Sequence, residues 1–154
     1  MSWNVRELDS LLTEDVDEVV DRARSLAGKD GAVALRDSLA RIETSTKPLD
    51  RLKVLLFIQT LLAVAPDGKV ASSVAESAVR ELSKVLVSPS EPEELKRSAL
   101  NALVLLFIKA KELTATADSR LREAFTFARE SHDPEIRDFA RRVPLANAVV
   151  ARSA

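Results

Sequence analysis

Residues able to do chemistry are sparse in this chain, and their spacing brings few of them together. His132 is the only histidine, and it stands beside Asp133. A general base needs an orienting partner and a nucleophile, and a metal site needs three or four ligands. Metal sites usually draw on more than one His or Cys, this chain has one His and no Cys, and neither set is seen around His132. It reads as a polar residue at a helix boundary. The stretch "GKDG", Gly28–Gly31, has the glycines of a phosphate loop but lacks its spacing and its Lys-Ser/Thr ending. It reads as a helix stop followed by a turn at Asp30–Gly31. The acidic run Glu14, Asp15, Asp17, Glu18 and Asp21 does not have the order of a calcium loop and suits a helix N-terminus. No catalytic residue, cofactor or metal site is therefore expected, and no enzyme.

The charges that could contact a partner lie toward the other end. Lys96, Arg97, Arg137, Arg141 and Arg142 are the candidate partner-binding residues. Arg137 and Arg141 stack one helical turn apart, a mildly unfavourable arrangement on an isolated helix. Asp133 and Asp138 are spaced to offset it, which makes an ordinary salt-bridged face the plain alternative. Net charge is −1 overall. Residues 1–47 carry 7 basic and 10 acidic side chains, whereas residues 92–154 carry 11 and 9. Such polarity suits an acidic protein partner, or a second copy bound head to tail. The balanced total and the scarcity of aromatics, 4% of residues, weigh against nucleic acid.

The elements that must position these charges are helices. Three glycines, no tyrosine and abundant Ala, Leu, Glu and Arg favour helix throughout, and no segment alternates with period two. Start and stop signals predict about eight helices, roughly 3–12, 14–27, 31–44, 48–65, 69–87, 92–113, 117–131 and 134–150. Pro48 suits a first helical position, Pro66-Asp67-Gly68 a turn, Ser90 and Glu93 a capping box, and Asp133-Pro134 a helix start. The word "VLLFI" occurs at Val54–Ile58 and again at Val104–Ile108. Five consecutive apolar residues run right round a helix, so both helices must be covered on all sides, and in contact. Segments 69–87 and 117–131 carry apolar stripes instead and should wrap them. Trp3, among Val5, Leu8, Leu11 and Leu12, reads as a core anchor.

A longer period runs beneath this one. Leu52-Lys53, Leu95-Lys96 and Ile136-Arg137 recur 43 and 41 residues apart, each after a proline, at Pro48, Pro92 and Pro134. A period in the forties with two helices per unit marks an α-solenoid. The stretch "DPEIRDFARRV", Asp133–Val143, resembles the second helix of a HEAT or armadillo-type repeat. "EPEELKRSALNAL", Glu91–Leu103, is similar, and "KPLDRLKVLLFI", Lys47–Ile58, departs further, with no acid before Pro48 and Leu56 at a small-residue position. The resemblance implies an all-α fold of antiparallel helices in a short right-handed superhelix. Residues 48–150 would form the repeat-like pairs of one domain, and residues 1–47 an atypical helical cap. It implies a protein-interaction module or adaptor, with a nucleic-acid-binding helical repeat as the alternative. The N-terminus has charges where a signal peptide needs an apolar core, and Val54–Pro66 is too short to span a bilayer. A cytoplasmic protein without membrane contact is expected.

Overall fold

A computed structural model of the chain describes residues 3–26 and 28–142. Eight helices are found among them: α1 (Glu7–Leu11), α2 (Val16–Ser25), α3 (Gly28–Thr44), α4 (Pro48–Val64), α5 (Ser72–Val87), α6 (Glu93–Lys109), α7 (Ala115–Arg129) and α8 (Pro134–Arg142). The segment 143–150, expected to extend the last helix, lies outside the described residues.

The helices stack in two rows. In one row α2 packs on α4, α4 on α6 and α6 on α8; in the other α3 packs on α5 and α5 on α7. Between the rows α3 packs on α4, α5 on α6 and α7 on α8. The prolines of the forty-odd-residue period open α4, α6 and α8, or immediately precede them, all members of the first row. This interleaving explains the repeated word. Val54, Leu55, Phe57 and Ile58 are all buried, because α4 is covered by α2, α3 and α6. The second copy is only partly covered. Val104 and Leu106 are buried, while Leu105, Phe107 and Ile108 are half-buried. Equal burial of Phe57 and Phe107, implied by their identical words, is thus corrected: α6 nears its end at Phe107 and loses neighbours there.

Polar residues that break the apolar runs make hydrogen bonds within the first row. Ser98 Oγ of α6 donates to Gln59 Oε1 of α4 at 3.2 Å, and Thr60 Oγ1 donates to the Leu56 carbonyl at 2.8 Å. Lys53, at 8% exposure, buries its stem and donates from Nζ to the Leu12 carbonyl at 3.1 Å, holding the end of α1. Arg51 reaches back from α4 to the Ile42 and Ser45 carbonyls and donates to Glu91 Oε1 at 2.7 Å. One guanidinium thereby satisfies carbonyls at the C-terminal end of α3 and ties that end to the residue before Pro92.

Helix ends depart from expectation in several places, four of them with a clear physical cause. Gly28, at φ +58°, stands at the start of α3, so Asp30 and Gly31 lie inside α3 and form no turn. Asp30 sits in that helix's first turn, where a carboxylate is favoured, and accepts from the Trp3 N–H at 3.3 Å. The capping box is not made, because Pro92 takes the N-cap position and leaves Glu93 first rather than third in the helix. Ser90 Oγ faces Ser88 Oγ. Helix α6 ends at Lys109, short of 113, because Ala110 turns extended and pairs in parallel with Val70. Two backbone hydrogen bonds hold that bridge: Val70 N–H to Lys109 O at 2.9 Å, and Lys111 N–H to Val70 O at 2.8 Å. Finally, α1 starts at Glu7 instead of residue 3. Asn4 Oδ1 accepts from the Arg6 N–H, and Trp3 is drawn away to α3 and α4. Its indole N–H donates to Asp37 Oδ2 at 2.9 Å, and its ring stacks on Phe57 with centroids 5.4 Å apart. Trp3 is the core anchor expected of it.

Candidate interaction site

The site is built where α8 follows α6 in the first row. Asp133 precedes α8; its carboxylate accepts from the Glu135 N–H at 3.2 Å, and its carbonyl accepts from the Arg137 N–H at 3.0 Å. Pro134 at the helix start has no N–H to leave unsatisfied. The other oxygen of Asp133 faces α6, where Arg97 Nε donates to it at 3.3 Å and lies 3.0 Å from Glu135 Oε2. Burial opposes the Asp133 charge, but the Glu135 N–H and then the Arg97 guanidinium outweigh it. The carboxyl is held below the usual aspartate range. Arg97 therefore staples α6 to the start of α8. The same device appears one unit earlier, where Arg51 of α4 meets Glu91 before Pro92. In both, an arginine on one helix of the row grips the acid that precedes the next helix's proline.

Between α6 and α8 runs a groove of about 410 Å³. Leu100, Ile136 and Phe139 give it an apolar floor, and Asn101 adds an amide. Arg97 and Arg142 line it together with the carboxylates of Glu135 and Asp138. The Arg142 Nε donates to the Asp138 carbonyl at 3.2 Å, and Arg137 Nε lies 3.7 Å from Asp138 Oδ1.

Of the five residues expected to bind a partner, the structure brings Arg97 and Arg142 to one groove. Lys96 does not line it; its side chain is only 12% exposed and pairs with Glu93 at 3.5 Å. Arg137 and Arg141 lie on the other side of α8. Ile136 and Ala140 are buried, and Glu135, Asp138, Phe139 and Arg142 face the groove. At about 100° per residue, Arg137 and Arg141 fall across the helix from that groove. His132 is exposed in the turn before α8 and does not line the groove. Sequence reasoning did not select Leu100, Asn101 and Phe139. Asn101 carried a signal, being the one polar break between Ala99 and Ile108. Phe139 carried none, because a half-buried aromatic looks like core until the neighbouring helix is placed.

A second concavity, about 380 Å³, lies between the start of α3, the end of α4 and the segment leading to α5. Leu35, Leu61, Val64, Val70 and Val74 line it, and Lys69 is the one charged side chain there. Among the described residues no group of three or more His, Cys, Asp or Glu side chains is placed to hold a metal ion. No helix among them is long and apolar enough to cross a membrane.

Fold and groove together define an all-α protein of interleaved helix pairs whose neighbouring helices are joined by arginine–carboxylate contacts. No protein-family model, no curated protein and no solved structure matches the chain.

Proposed function

We propose that this chain is a non-catalytic adaptor of the HEAT or armadillo kind, a short right-handed helical stack that docks an acidic protein segment along α6 and α8. The observation that supports it is the α6–α8 groove: an apolar floor of Leu100, Ile136 and Phe139 with Arg97 and Arg142 among its lining. Apolar anchors supply affinity and the guanidiniums select carboxylates, the division of labour common at docking surfaces. Successive helices of one row present such a groove as a continuous surface, which suits an extended segment. Glu135 and Asp138 alternate with the two arginines, an arrangement that suits a segment with isolated carboxylates among apolar side chains better than an unbroken run of phosphates.

The test begins with recovery of partners on the immobilised full chain, with and without nuclease. The partner so identified is then titrated against wild type, Phe139→Ala and Arg142→Glu. Nuclease-resistant recovery is expected, with binding weakened at least tenfold in both variants, the Arg142→Glu melt near wild type and the Phe139→Ala protein, which loses a half-buried aromatic, still folded at the temperature of the titration. Unchanged binding in both variants would remove the groove from the docking surface. Loss of recovery on nuclease treatment would turn the reading toward nucleic acid.

A further inference from the structure

We propose that the side of α8 carrying Arg137 and Arg141 docks the acidic outer face of α2 from a second copy of this chain, head to tail. The inference rests on reading the α8 surface as one that receives carboxylates. Among the described residues, helices α2 and α8 stand at opposite ends of the row α2, α4, α6, α8. In α2, Val19 and Ala23 are buried, while Asp17, Glu18 and Asp21 are exposed. At about 100° per residue, Asp17 and Asp21 point almost directly away from the buried side, one turn apart. Arg137 and Arg141 are likewise one turn apart, on the side of α8 away from α6. Two carboxylates and two guanidiniums therefore present the same spacing at the two ends of one row.

The carboxylates that favour folding are mostly elsewhere in this region. Glu7 pairs with Arg22 at 2.8 Å, Asp9 with Arg41 at 2.7 Å, Asp37 accepts from Trp3, and Asp15 caps α2. Asp17, Glu18 and Asp21 face water, and among the described residues only Asp21 has a basic partner within 4 Å, Arg24 at 3.9 Å. The crowding is felt: Glu14, together with Asp15 and Asp21, raises the Glu18 carboxyl above its ordinary value. Arginines from a second copy would relieve that repulsion and continue the row by one helix. The contact is heterologous, so it builds short open chains rather than a closed dimer. Being small and charged, it is weak, and salt dissolves it.

Sedimentation velocity of the full chain tests this over a hundredfold concentration range, at about 0.02 M and about 0.5 M salt. The weight-average sedimentation coefficient should rise with concentration at low salt and return to the monomer value at high salt. Asp17→Lys/Asp21→Lys and Arg137→Glu/Arg141→Glu should each remain monomeric at low salt with unchanged circular-dichroism melts. Their equimolar mixture should associate again, because each keeps the end the other lacks. A wild-type monomer at every low-salt concentration would overturn the proposal. So would association that persists in both variants. If wild type is monomeric yet Arg137→Glu/Arg141→Glu loses a foreign acidic partner, that partner occupies the side assigned here to the second copy. The groove reading then stands or falls separately, on Phe139→Ala and Arg142→Glu.

Discussion

Phe57 and Phe107 occupy the same place in the same five-residue word, yet their surroundings differ. Phe57 is fully buried and stacked under Trp3, whereas Phe107 is half-buried at the end of α6. Phe57→Ala should cost about 3–5 kcal/mol, the range for deleting a buried aromatic, and Phe107→Ala about half as much. Urea melts of the two variants read this directly; equal losses would contradict the partial cover of α6. Asp133 gives a pH signature at the same scale. Its carboxyl is held below its ordinary value, so its charge favours the folded state above the unfolded value of about 4. That contribution is lost as pH falls through the depressed folded value. Asp133→Asn keeps a capping side chain and removes the charge. It should be less stable than wild type at neutral pH by no more than about 1 kcal/mol, since water around Arg97 screens the pair. The gap should close below about pH 4. A gap that does not change with pH would remove the charge from the account.

The helices themselves were legible in the sequence because their signals are local. Pro48, Asp133-Pro134 and the Pro66-Asp67-Gly68 turn stand where their backbone preferences place them. What stayed hidden depends on partners distant in sequence. The stop of α6 at Lys109 needs Val70, 39 residues earlier, whose N–H donates to the Lys109 carbonyl and whose carbonyl accepts from the Lys111 N–H. The end of α3 is satisfied by Arg51, and the end of α4 by Lys109, whose Nζ donates to the Ala65 carbonyl at 2.7 Å. No residue inside those helices announces either cap. The start of α3 at Gly28 was ambiguous for a different reason: two glycines three residues apart both fit a turn. Their substitutions separate them. Gly28→Ala should cost about 1–2 kcal/mol, the penalty of a left-handed backbone for a residue with a Cβ. Gly31→Ala should stabilise by about 0.5–1 kcal/mol, because Gly31 is helical and an added Cβ meets Leu26 only at 3.8 Å. Thermal melts giving the opposite order would return the turn to Asp30–Gly31. Arg51→Ala should cost about 2–3 kcal/mol, since it leaves Glu91 and two carbonyls without their donor.

At the scale of the whole molecule, the residues of the forty-odd-residue period fall on or just before α4, α6 and α8, which line up in one row. The period misjudged which of their charges would face outward. Of the recurring basic residues, Lys53 and Lys96 bury their stems and serve their own neighbourhood. The arginines at the groove, Arg97 and Arg142, fall outside the strict period. Arg97 nevertheless serves packing, since Arg51 makes the matching contact one unit earlier. The surface proposed to dock a protein partner is formed by α6 and α8. Hydrogen exchange of the full chain, free and bound to the partner recovered on it, tests that proposal most directly. Protection is predicted in 97–101 and 134–142, with α3 and the start of α5 unchanged. Protection confined to the apolar cavity between α3, α4 and α5, with 134–142 exchanging as in the free chain, would contradict it.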